Sequence, residues 1–88
     1  MKIQIEKLSE EEITRRGIRK WSIWEKEVSE FDWFYDEQEQ CLFLEGRVIV
    51  SSSLGDVEIR KGDFVTFPEG LQCVWKVLEP VRKHYYFG

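Results

Sequence analysis

A chain of 88 residues holds one small domain, whose core must also house any site, and leaves no room for a separate regulatory unit. Apolar residues make up 42% and aromatics 15%, which excludes disorder despite 34% charged residues. The net charge is −4, and the basic residues are scattered apart from Arg15-Arg16, Arg19-Lys20 and Arg82-Lys83-His84, so no stripe exists for a phosphate backbone and nucleic acid is not an expected partner.

Ile3 and Ile5 alternate with Lys2, Gln4 and Glu6, which predicts an opening strand. Ser9, followed three positions on by Glu12, is a capping-box pattern for a short helix, and Gly17 is its expected stop. No leader-like apolar region follows Met1 and no run of about 18 apolar residues occurs, so the expectation is a cytoplasmic protein without a membrane partner. From Lys20 the pattern has period two: Trp21 and Ile23, then Phe31, Trp33 and Tyr35 against Asp32 and Asp36, so the later aromatics are expected to share an inward face.

Further strands are predicted over Cys41–Glu45, Arg47–Ser51, Val57–Arg60, Phe64–Phe67, Leu71–Val77 and Val81–Phe87. The turns between them fall at Glu45-Gly46, Leu54-Gly55-Asp56, Lys61-Gly62-Asp63, Pro68-Glu69-Gly70 and Glu79-Pro80. Short, evenly spaced strands predict an all-β sandwich or barrel, one domain over residues 1–88. Within Leu71–Val77 the residues Leu71, Cys73, Trp75 and Val77 share one parity and Gln72 and Lys76 the other, which sends Cys73 inward. The cysteine spacing matches neither a zinc finger nor a disulfide framework, and a Cys41–Cys73 bridge would require the two side chains to converge.

Two spacings carry a resemblance: Glu39, six residues, Gly46; and Gly62, five residues, Pro68, one residue, Gly70, two residues, Cys73. They resemble the two motifs of the cupins, the first over about residues 33–46 and the second over about 62–77. The stretches FDWFYDEQEQCLFLEG, KGDFVTFPEGLQCVWKV and VRKHYYF are similar to the small single-domain cupins grouped with the (S)-ureidoglycine aminohydrolase cupin domain and the ethanolamine-utilisation cupins. The resemblance implies a cupin-type double-stranded β-helix, or jelly-roll barrel, with a short N-terminal helix. The positions of the family's metal-binding histidines fall on Trp33, Tyr35 and Cys73, and among its ligands Glu39 alone is matched.

The frame implies a barrel interior of Trp33, Tyr35, Glu39, Cys41, Phe43, Cys73 and Trp75, with His84 or Tyr86 from the last strand, as the pocket for a small-molecule ligand. Glu39 and Cys73 are the catalytic candidates, because desolvation of an enclosed carboxyl raises its pKa into the range of a general acid or base and a thiol with a basic partner is a nucleophile. The structural alternatives weigh more: Glu39 hydrogen-bonded to Tyr35 or an indole N–H, and Cys73 as core filling. Trp24, Trp33, Trp75 and Tyr35 offer a stacking surface for a planar or sugar-like ligand, with barrel filling the weightier reading for Trp24; Arg82 and Lys83 either reach an anionic ligand or, the weightier reading, form a solvated strand face. No cofactor is expected. The lesser alternative is a divalent metal (zinc, iron, nickel or manganese) on Glu39, Cys73 and His84, with Cys41 a further donor. The function implied is small-molecule binding, with aminohydrolase- or isomerase-like activity through Glu39; the competing readings are a non-catalytic binding module and a homodimerisation module.

Overall fold

The computed structural model describes all residues, Met1–Gly88. The chain forms β1 (Gln4–Lys7), α1 (Glu10–Arg15), one 3₁₀ turn (Ile18–Lys20), β2 (Ser22–Lys26), β3 (Ser29–Phe34), β4 (Glu39–Ser52), β5 (Gly55–Arg60), β6 (Asp63–Phe67) and β7 (Gln72–Phe87). Every strand pairing is antiparallel. The first half of β4 pairs with β6 and with the second half of β7, giving one layer in the order β1-β6-β4-β7-β2. The second half of β4 pairs with β5 and the first half of β7, which carries β3, giving the facing layer β5-β4-β7-β3. The two long strands therefore pass from one layer to the other, the architecture of a jelly roll.

The expected turns at Glu45-Gly46 and Glu79-Pro80 are not turns, because β4 and β7 run unbroken through both. They lie opposite each other in one paired bend, with register shifts between Phe43 and Val48. Between the Phe43–Lys83 and Val48–Val77 pairs β4 has four residues and β7 five, so the buried set of β4 changes from Cys41 and Phe43 to Val48 and Val50, while β7 keeps odd parity through Cys73, Trp75, Val77, Val81 and Lys83. Gly46, at φ 97°, lies against the Pro80 carbonyl, where any Cβ would overlap backbone. Arg47 closes the bend by donating to Glu79 at 3.1 Å.

The other expected turns and the helix signals are present. Glu12 N–H donates to the Ser9 side chain at 3.1 Å, and Gly17 supplies the left-handed residue after α1. Helix α1 and the 3₁₀ turn lay Ile13 and Ile18 over Leu42 and Phe64, which cover the outer face of the first layer. The main core lies between the layers and includes Tyr35, Cys41, Phe43, Phe67, Cys73 and Trp75. No helix is long and apolar enough to cross a membrane.

Candidate functional site

At one end of the barrel a cavity of about 190 Å³ is lined by Trp24, Phe31, Trp33, Tyr35, Glu39, Trp75, Lys83, Tyr85 and Phe87. Trp33 and Phe87, 42% and 38% exposed, form its rim, whereas Tyr35, Glu39, Trp75 and Lys83 are buried. Turn chemistry places Tyr35: its N–H donates to the Leu71 carbonyl at 2.9 Å, and its own carbonyl accepts from Gly70 N–H at 2.7 Å. The ring then stacks on Phe67, with centroids 4.7 Å apart. The Pro68-Glu69-Gly70 turn thus holds one wall of the pocket.

Lys83, for which the sequence favoured a solvated strand face, is buried in the barrel. In the barrel its ammonium lies 3.3 and 3.4 Å from the two Glu39 oxygens and 3.2 Å from the Cys41 sulfur. Its strand neighbours are Trp24 on β2 and Phe43 on β4, so rings from both sides close over it. Nζ lies 4.8 Å from the centroid of Trp75 and 4.9 Å from that of Trp24. The side chains of Lys83 and Glu39 are only 5% and 6% exposed, so each is the charge partner that makes burial of the other tolerable. The signal was the odd parity of Leu71–Val77, which continues through Glu79-Pro80 and places Lys83 inside; reading that dipeptide as a turn concealed it.

Several expectations need correction. His84 faces the opposite side of its strand, where Nδ1 lies 3.1 Å from the Trp21 carbonyl oxygen, because adjacent residues on a strand point to opposite faces. Tyr86 likewise faces out and stacks on Trp21. Trp24 is a pocket wall, since its place opposite Lys83 puts it on the inner face. Cys41, Phe43 and Cys73 are buried in the core beside the cavity but do not line it. Arg82 alone keeps the solvated position expected of the pair, 3.9 Å from Glu25.

Neither thiol is prepared for nucleophilic work. Burial pushes the Cys41 thiol far up, with Glu39 adding to the shift and Lys83 opposing it. Cys73 is pushed up to about 11, chiefly by burial. Both thiols are therefore protonated at neutral pH, and Cys73 points its sulfur at the Trp33 carbonyl, 3.6 Å away. The cysteines are free, not bridged. Burial, reinforced by Glu39, also drives the Tyr35 phenol far upward, which keeps it a neutral hydroxyl. That hydroxyl and the Trp75 N–H are both sealed from solvent without a hydrogen-bond partner.

The antiparallel jelly roll with a pocket at one end is the architecture of the cupin class of protein. The sequence pattern of the EutQ-like cupin domain matches residues 13–85, and the chain belongs to that family. No curated protein matches the chain. Its fold and sequence are similar to those of a DUF861 family protein from Thermotoga maritima, 56% identical with TM-score 0.95 over 99% of this chain and 100% of that one. The Clostridium difficile EutQ protein is similar at 20% identity and TM-score 0.68, over 74% of this chain and 52% of that one. A putative ethanolamine utilization protein Q from Salmonella typhimurium is similar at 20% identity and TM-score 0.68, over 99% and 69% respectively.

The fold family implies a metal on several imidazoles, and the donor set here does not fit one. His84 lies on the outer face, no three His, Cys, Asp or Glu side chains converge, and the cation beside Glu39 is the Lys83 ammonium. The Glu39, Cys73 and His84 set is thus not assembled.

Proposed function

We propose that this cupin domain binds a small, largely apolar molecule in the aromatic pocket, with the polar end of the ligand directed to the Lys83–Glu39 pair. The carrying observation is that this buried ion pair lines the cavity instead of being sealed within the core. Apolar walls with a few convergent polar groups are the usual composition of a ligand site. The volume suits a compact guest, since a cavity of about 150 Å³ holds benzene.

Glu39 and Lys83 together offer an acceptor and a donor at one point, which supports acid–base chemistry of the aminohydrolase or isomerase kind. The test uses benzyl alcohol as probe and follows the indole N–H resonances by NMR. Saturable shifts at Trp24 and Trp75 are expected, and shifts confined to the outer-face Trp21, or none, would refute the reading. For the acid–base step, Glu39→Gln should abolish ligand binding or turnover, and an unchanged benzyl alcohol profile with normal folding would count against a role for Glu39.

A further inference from the structure

We propose that Lys83 is a carbonyl-capturing amine: the pocket admits a small, uncharged aldehyde or ketone, and Nζ condenses with its carbonyl carbon. This deepens the binding reading above and rests on it. Lys83 is the one lysine buried in the fold, and it lines a cavity whose rim is solvent-exposed. Its proton acceptor is already in place, with both Glu39 oxygens within 3.4 Å. A single proton transfer along that contact converts ammonium and carboxylate into amine and carboxylic acid, removing two charges from aromatic surroundings.

The amine lone pair then forms the C–N bond, the carbonyl π electrons move to oxygen, and the carbinolamine results after proton transfer from nitrogen to that oxygen. Glu39 returns its proton to the hydroxyl, which leaves as water as the nitrogen lone pair closes the C=N bond. The product is an iminium beside a carboxylate. Ammonium and carbonyl have become iminium and water with no change of oxidation state, and the positive charge is paired with the Glu39 carboxylate at the start and again at the end. Condensation expels water, so walls such as Trp24, Phe31 and Trp75 favour the iminium over its hydrolysis. Lys83 is the sole cation lining the pocket, and Glu39 already engages it, so an uncharged carbonyl compound fits better than a 2-oxo acid.

The experiment treats the intact protein with benzaldehyde and sodium cyanoborohydride, followed by intact mass and peptide mapping, with benzyl alcohol binding measured in parallel. One reduced adduct per chain is expected, on Lys83, formed at least about tenfold faster than on any exposed lysine. Lys83→Arg, which keeps the charge beside Glu39, should abolish that adduct while retaining the fold by circular dichroism. Glu39→Gln should slow it on the order of 10²-fold. Pyruvate should give no Lys83 adduct, and an adduct there would overturn the assigned ligand class. Benzyl alcohol binding combined with even labelling of the exposed lysines would overturn the capture chemistry and leave the binding reading standing. Loss of both would overturn both.

Discussion

Lys83 and Glu39 show how little a side chain's type says about its role. A lysine beside an arginine near the end of a charged sequence reads as surface, yet this one is 4% exposed and closed in by rings. Each partner's burial depends on the other. Lys83→Met alone should therefore cost about 3–5 kcal/mol, because it strands the Glu39 carboxylate, whereas Glu39→Leu with Lys83→Met should recover most of that loss. Urea unfolding of the wild type, both single variants and the double variant measures the coupling.

The thiol of Cys73 gives a pH dependence of defined sign. In the fold it holds its proton to about 11, whereas an unfolded thiol loses it near the ordinary value of about 8.5. Between those values the unfolded chain binds fewer protons than the native state, so this group's contribution to stability falls as pH rises and is fully retained below the window. Urea midpoints from pH 8 to 11 should fall less steeply for Cys73→Val than for the wild type. Equal slopes would show that this thiol does not contribute.

At the scale of elements, the paired bend of β4 and β7 is the feature that shapes the barrel. Gly46 is needed there for two reasons at once, its positive φ and the backbone packed against it, whereas Gly55 has a positive φ of 103° with open space around it. Gly46→Ala should destabilise by about 3 kcal/mol or more, and Gly55→Ala by about 1–2, the cost of backbone strain alone. Thermal unfolding of the two variants side by side separates strain from overlap. The cap of α1 is a smaller matter: Ser9→Ala should cost about 1 kcal/mol, because it removes the acceptor of the Glu12 N–H.

Much at this scale was legible in the chain. Hairpin and cap signals are local, and Gly55, Gly62 and Gly70 have the positive φ their turns require. Gly46 has the same backbone sign but sits inside a strand, and no local cue separates a glycine that ends a strand from one that kinks it. That distinction depends on whether Pro80 lies across from it.

At the scale of the whole molecule, two facing layers share one core, and the pocket opens between them at one end. The metal question belongs here, since ligands would have to converge from several strands. We expect native mass spectrometry of protein expressed with zinc, iron, nickel and manganese to show no stoichiometric metal; one bound equivalent, lost on Glu39→Gln, would overturn this. The homodimer expectation concerns the open strand edges, β3 among them, which carries Trp33 and Phe34 at 42% and 54% exposure. Sedimentation across micromolar concentrations should show a dimer, and a monomer throughout would remove that expectation.

The sequence by itself determined what depends on neighbours along the chain: the all-β character, the turn residues, the capped helix, and the inward set Leu71, Cys73, Trp75 and Val77. These follow from φ preferences and from alternation within one strand. The tertiary structure decided which strands are continuous and which residues meet across them. Lys83 and Glu39 stand 44 residues apart, and they face each other because β7 keeps its parity through Pro80 while β4 and β7 pair in that register. A bend shared by two strands is set by their packing, so Glu39 could be identified from its motif while its partner became evident only once the barrel closed.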